Sequence, residues 1–381
     1  MAAQRFGFID WFRGLACVLM FQTHAYDAWT AEPYRQGMWW WLARPFLGGF
    51  PARMFLLLAG VSLMLRFAGD LRRGRSEAEA RRGAVKRGLE VVLLGFAFRL
   101  GEWVISGARP SAMWALLKFD VLQCIGVSLV LSALVASPRD TQPGRLPLRP
   151  LFLALLIALT TPLLQGLGRP PYLPDLLSIF LWGDHALMPF PLLPWLSYAL
   201  TGCCLGAYYI RGAAAGKLGR TMLVTGLVGA AIGILGKLGG RVDIPIYRPT
   251  ALVPIPATPV SYFFRTGTCM AGLAAAYFLL EWRSRRPAAA DAPLAQAWER
   301  FSPFLWLGQA SMTVYMVHID LVYNIWSYPI KYKLNPYTGT LMVATLTGLM
   351  VWLAYYRTAR PKKSQPLPRL ETIPASPAAR A

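Results

Sequence analysis

The stretch GFIDWFRGLACVLMFQTHAYDAW, residues 7–29, decides how this chain is read. It is mostly apolar and long enough to cross a bilayer, which takes about 20 residues for roughly 30 Å of hydrocarbon. Yet it carries Asp10, Arg13, His24 and Asp27. A charged group at mid-membrane costs about 2.5–3.5 kcal/mol even on the lenient insertion scale, so such groups face a protein interior or a wet cavity. At about 100° per residue, Arg13 and His24 lie about 20° apart after whole turns and about 16 Å apart along the axis. Asp10 precedes Arg13 by three residues and Asp27 follows His24 by three, spacings within side-chain reach. The four polar residues form one stripe, with Cys17 and Met20 between its ends. The opposite face, with Phe12, Leu19 and Phe21, is apolar. The helix is therefore expected to line a cavity with an arginine at one end and a histidine at the other.

The rest of the chain fits a membrane protein. Of 381 residues, 55% are hydrophobic, 14 are Trp and only 18 are acidic. Ten apolar runs stand out, at about 7–29, 50–68, 86–106, 119–137, 149–167, 191–211, 219–239, 260–281, 303–327 and 338–357, the fifth interrupted by Pro162. Lipid leaves backbone groups no water to bond, so each run should be helical. The expected fold is an all-α, polytopic integral membrane helical bundle of about ten transmembrane helices. The net charge of +21 invites a nucleic-acid reading, but its distribution follows the membrane instead. With the N-terminus inside, and residues near the run ends counted with the adjoining side, 25 of the 39 Lys and Arg fall on the inner side, 11 on the outer side and three (Arg13, Arg99 and Arg265) deep within runs. This is the positive-inside pattern, with N-in and C-in. LRRGRSEAEARRGAVKR (71–87) is then a basic inner loop. It answers either to anionic lipid or to an anionic cytosolic ligand.

The first run carries a weak positive flank, Arg5, and no small-residue cleavage site, so it is expected to be retained. This and the compact loops favour a bacterial inner membrane. Residues 1–357 read as one transmembrane domain and 358–381 as a disordered cytoplasmic tail rich in Pro, Ser and Ala. Residues 168–190 and 240–259, rich in Pro, are expected to form outer caps. The five cysteines lie within runs without metal or disulfide spacing, as small buried hydrophobes do.

Histidine is the side chain best suited to move protons near neutral pH, and only His24, His185 and His318 are present. Asp27 is placed to orient the His24 imidazole. Arginine suits an anionic group such as a phosphate. A histidine and an arginine on one face, far apart, suit transfer of an activated group with an anionic handle. Two other readings remain: helix-gluing Asp–Arg and His–Asp pairs, and a proton-coupled transporter or exporter of a polar small molecule that uses Asp10, Arg13, His24 and Asp27 as an intramembrane relay. The absence of an internal repeat weakens the transporter.

IDWFRGLACVLMFQTH (9–24) resembles the opening helix of the transmembrane acyltransferase superfamily, whose signature is an arginine, ten residues and a histidine; Arg13 and His24 have that spacing. FPARMFLLLAGVSLML (50–65), DVLQCIGVSLVL (120–131), PLLPWLSYALTGCCLGAYY (191–209) and LGQASMTVYMVHIDLVY (307–323) resemble, in order, blocks of the branch built on the heparan-alpha-glucosaminide N-acetyltransferase catalytic domain. The first-span histidine fits the wider superfamily, including acyltransferase family three. The resemblance implies a membrane-bound acyltransferase with acetyl-coenzyme A or another acyl-coenzyme A as co-substrate. It implies a hydroxyl or amine of an extracytoplasmic sugar or glycan as acceptor, and no metal. His24 would be the catalytic histidine, as general base or transient acyl carrier, with Asp27 beside it. Arg13, with Asp10, would serve the donor side.

Further residues have two readings each. Ser311, Tyr315 and His318 fall at i, i+4 and i+7, on one helix face, and either line the same cavity or bond neighbouring helices. Arg53 is placed to meet Asp27 or the acceptor. Arg99 and Glu102 are spaced as a mutual pair, while Asp120 and Gln123 fit an acceptor pocket. Asp184 and His185 stand on an outer loop, where three scattered histidines make a poor metal site. Trp182 and Trp195 are interfacial anchors or sugar-stacking rings. A homodimer through small-residue faces is compatible with such a bundle.

Overall fold

The computed structural model describes residues 6–166, 172–182, 189–240, 258–285 and 302–358. Asp184, His185, the tail after residue 358, residues 168–171 and 183–188 of the first outer cap and nearly all of 240–259 lie outside them, as does the side chain of Trp182. The described chain is helical, and its β structure is an isolated bridge between Thr30 and Leu334.

All ten apolar runs fold as helix. The helices are α1 (Gly7–Trp29), α2 (Gly37–Trp41), α3 (Pro51–Arg72), α4 (Glu77–Ile105), α5 (Val121–Val135), α6 (Leu148–Gly166), α7 (Asp175–Trp182), α8 (Leu192–Ala214), α9 (Leu218–Gly239), α10 (Pro259–Arg285), α11 (Pro303–Gln309), α12 (Ser311–Tyr323) and α13 (Pro336–Thr358). Among the described residues, five helical stretches are long and apolar enough to cross a membrane: 37–72, 148–165, 218–239, 259–280 and 336–358. The helix α1 is not among them, because its polar stripe dilutes an otherwise apolar run. Pro162 does not break α6. The ninth run, expected as one helix, divides at Ala310 into α11 and α12.

Local sequence accounts for several boundaries. Pro51 opens α3, where its missing N–H and fixed φ suit the first turn. Gly74, at φ +76°, turns the chain after α3. Ser76 then caps α4 in a reciprocal box: its hydroxyl accepts from the Glu79 amide, and the Glu79 carboxylate accepts from the Ser76 amide at 2.8 Å. Asp120 and Gln123 form the same device at the start of α5.

The helix α1 sits at the centre. Its neighbours are α3, α10, α11, α12 and α13, and α3 packs in turn on α8. Small residues allow the closest crossing. The position a Cβ would take on Gly14 is filled by the Phe304 carbonyl, and that on Gly308 by the Asp10 carbonyl, so α1 and α11 meet backbone to backbone. Phe12, Ala16, Cys17, Phe21 and Ala25 are buried around this central helix. Its polar stripe therefore faces protein or an internal space.

Candidate active site

That space is a cavity of about 410 Å³ running along α1. Arg13, Met20, Thr23 and His24 of α1 line it, together with residues of α3, α4, α5 and α12. Arg13 and His24 thus face one continuous cavity, at opposite ends of the stripe.

At the Arg13 end, Arg13 bonds Asp10 at 3.0 Å and the Ser62 hydroxyl at 2.9 Å. The Asp10 side chain is 7% exposed and that of Arg13 is 22% exposed, so the pair is buried but the guanidinium still reaches the cavity. Two further arginines line this end, Arg66 and Arg87. Arg66 shares the buried carboxylate of Asp70 with Arg73 and Arg75, at 3.7, 3.1 and 3.0 Å. Three cations on one carboxylate leave net positive charge at the α3–α4 hairpin. Sequence reading missed Ser62, Arg66 and Arg87. The basic loop was visible, but not the fact that two of its flanking arginines turn into the cavity.

At the other end, His24 is half-buried. Its Nδ1 is buried and finds no hydrogen-bond partner among the described residues. His318 is adjacent, the two ring centroids 5.3 Å apart. The His318 Nδ1 lies 2.9 Å from the Val314 carbonyl. A carbonyl only accepts, so Nδ1 carries the proton and Nε2 the lone pair; Nε2 is likewise buried and unpartnered among the described residues. Ser311 and Tyr315 line the cavity, whereas His318 stands behind its wall against Phe21, Tyr315 and His24.

Two expectations need correction. Asp27 does not hydrogen-bond His24. Its carboxylate accepts from Arg44, at 2.8 and 3.0 Å, and from the Tyr323 hydroxyl at 3.3 Å. On a helix, three residues apart means reach, not contact, and a free guanidinium competes better for a carboxylate than an imidazole does. Arg53 does not meet Asp27 either. It bonds Tyr198 at 3.2 Å and the Gly49 carbonyl, and lies over the Trp195 ring at 4.6 Å. Arg44 was the overlooked residue. A lone charge inside the aromatic stretch GMWWWLARPFLGGF (37–50) was the available signal.

Asp120 lines the cavity but is held by Arg99, which also binds Glu102 at 2.5 Å. Gln123 is buried in the α5 cap, behind the wall. Trp195 lines the cavity with one face covered by Arg53. Asp10–Arg13 and Asp27–Arg44 are separate ion pairs among the described residues and His24 bonds neither, so these four groups do not form one hydrogen-bonded relay. Among the described residues, no three His, Cys, Asp or Glu converge as a metal site would need.

The arrangement can hold an anionic group among Arg13, Arg66 and Arg87 and present another group to an imidazole about 16 Å further along α1. The profile of the family described as heparan-alpha-glucosaminide N-acetyltransferase, catalytic, matches residues 5–248. The matched residues include α1, α3, α4, α5 and α8, and end before α12 with Ser311, Tyr315 and His318. No individual curated protein matches the chain. More than half of the chain matches that family, and its apolar helices are long enough to span a bilayer. The chain therefore belongs to the heparan-alpha-glucosaminide N-acetyltransferase catalytic family and is an integral membrane protein of this acetyltransferase group.

Proposed function

We propose that the protein moves an acyl group, most simply acetyl, from cytosolic acyl-coenzyme A to a hydroxyl or amine of an extracytoplasmic sugar or glycan, with His24 as the catalytic histidine. The observation that carries this reading is the single cavity shared by Arg13 and His24. The donor's phosphates are assigned to the basic end, formed by Arg13, Arg66 and Arg87 and continuous with the charge-rich α3–α4 hairpin. That end is the inner one in the N-in, C-in topology of ten spans that the loop charges favour. The donor's acyl end then extends along α1 towards His24.

In this reading the neutral His24 imidazole attacks the thioester carbonyl; the tetrahedral intermediate collapses, the C–S bond breaks, and the sulfur leaves as a thiol with the imidazole's proton. The acceptor oxygen or nitrogen then attacks the acyl-imidazole carbonyl, the C–N bond breaks, and the acceptor's proton returns to the freed imidazole. Met20, Phe55, Ile125 and Leu129 supply an apolar lining around the thioester path, which limits water and so limits hydrolysis. Arg13, held by Asp10 and Ser62, is pre-positioned and loses little freedom when it binds a phosphate.

The test uses purified protein in detergent with acetyl-coenzyme A, following thiol release and intact mass. Thiol release that disappears in His24→Ala, while that variant still purifies as a folded protein, is the expected outcome. Undiminished release in His24→Ala would remove the assigned mechanism.

A further inference from the structure

The other arginines named in and around the cavity have carboxylate partners: Arg13 with Asp10, Arg44 with Asp27, Arg66 with Asp70, Arg87 with Glu90, and Arg99 with Asp120 and Glu102. Two do not. Among the described residues no carboxylate pairs with Arg53 or Arg265.

These two guanidinium groups meet at Gly49. Arg53, from α3, donates to the Gly49 carbonyl and to Tyr198. Arg265, from α10, fills the space that a Cβ on Gly49 would need and lies over the Phe50 ring at 4.9 Å. The Nε and Nη1 of Arg265 are buried with no hydrogen-bond partner among the described residues. Both guanidinium groups crowd Gly49, one on its carbonyl and one in the space of its absent Cβ, and like charges so placed repel. A guanidinium stays charged in any protein. Two like charges held beside Phe50, Trp195 and Tyr198, both only half-exposed and with two buried donors of Arg265 unused, are costly unless an anion joins them.

The location says which molecule brings that anion. Arg53, Gly48, Thr23 and His24 all line the cavity at the end away from Arg13. Gly48 abuts the Thr23 side chain, one residue before His24. The donor's anionic handle belongs to the opposite end.

We propose that Arg53 and Arg265 form an anion subsite beside His24 that binds a carboxylate or phosphate group of the acceptor, so that the acceptor is an acidic rather than a neutral sugar. The proposal rests on the acyl-transfer reading of the same cavity and goes beyond it by assigning the acceptor's charge. Bidentate guanidinium contacts to a planar carboxylate or a phosphate would orient the sugar as well as hold it.

The test is equilibrium binding to the full chain in detergent at constant ionic strength, with glucuronate, glucose 6-phosphate, glucose and coenzyme A as separate probes. Glucuronate or glucose 6-phosphate should bind at least tenfold more tightly than glucose. That preference should fall to within threefold in Arg53→Gln and in Arg265→Gln, and partly persist in Arg265→Lys, which keeps the charge and guards against a folding defect. Coenzyme A affinity should change less than twofold. Equal binding of charged and neutral sugars, or no binding of any of them, would overturn the subsite. So would a preference that survives both Gln variants, or a loss that falls on coenzyme A, which would give the pair to the donor. Thiol release from acetyl-coenzyme A, read in parallel without sugar, separates failure of this subsite from failure of the acyl-transfer reading.

Discussion

The ion-paired cluster of Arg99, Glu102 and Asp120 tests how the cavity wall is held, because Asp120 lines the cavity while Arg99 neutralises it. The side chains of Arg99 and Asp120 are 13% and 21% exposed, so both have lost most of their hydration. Removing one member of a buried pair costs about 3–5 kcal/mol, whereas removing both is far milder, because the penalty comes from the stranded charge. The residual exposure here lowers the expectation for Arg99→Gln to about 2–3 kcal/mol. Asp120→Asn leaves Arg99 still bound by Glu102 and should cost about 1 kcal/mol. The double variant should lose less than the two losses summed, with a coupling of about 1–2 kcal/mol. Unfolding titrations with a denaturing detergent would measure all four corners of this cycle. Acetyl transfer measured on the same samples adds a functional corner. Arg99→Gln leaves an uncompensated carboxylate on the wall and should depress turnover, and Asp120→Asn added to it should restore part of the loss. Losses that add to within about 0.3 kcal/mol would refute the argument, since independent sites add and a shared ion pair does not.

Other expectations follow from equally local observations. Asp27→Asn should retain thiol release within about tenfold, because Arg44 and Tyr323, not His24, hold that carboxylate; a loss of about 10³-fold or more would mean that Asp27 acts on the imidazole after all. Gly308→Ala must displace the Asp10 carbonyl, costing about 1–3 kcal/mol by overpacking. Because Asp10 holds Arg13, the variant should also raise KM for the acyl donor, as steady-state kinetics would report. The Ser76 cap holds the Glu79 carboxyl below its ordinary value of 4.5, through the backbone and side-chain hydrogen bonds of Ser76. A depressed folded value means the contribution is complete above the unfolded value and is lost as pH falls through the folded one. Helicity at the start of α4 should therefore decline in acid below about pH 4.5; in hydrogen-exchange measurements Ser76→Ala, which keeps the amide bond to Glu79 and loses only the hydroxyl, should weaken that pH dependence, and Glu79→Gln should abolish it.

Much of this protein was legible from residue order alone, and the reason is periodicity. The ten apolar runs fold as helix, the ninth in two pieces, because bilayer and core alike require the backbone to satisfy itself. The Arg13–His24 stripe was legible because helical geometry fixes which residues share a face. The i, i+3 pairs Asp10–Arg13 and Arg99–Glu102 were legible for the same reason. What residue order does not contain is which face meets which. The contact of His24 with His318 joins positions nearly three hundred residues apart. The meeting of Arg53 and Arg265 at Gly49 depends on how α3 and α10 pack. Asp27 took Arg44 rather than His24 or Arg53, since the segment between α1 and α3 carries that guanidinium back over the helix end. The break at Ala310 and the backbone contact of Gly14 and Gly308 across α1 and α11 likewise belong to packing. Local propensity and spacing set the helices and their polar faces. Only the close packing of those helices, where small residues permit approach and each buried charge settles on the partner that tertiary contact supplies, decided which polar groups share a cavity and which stand behind its wall.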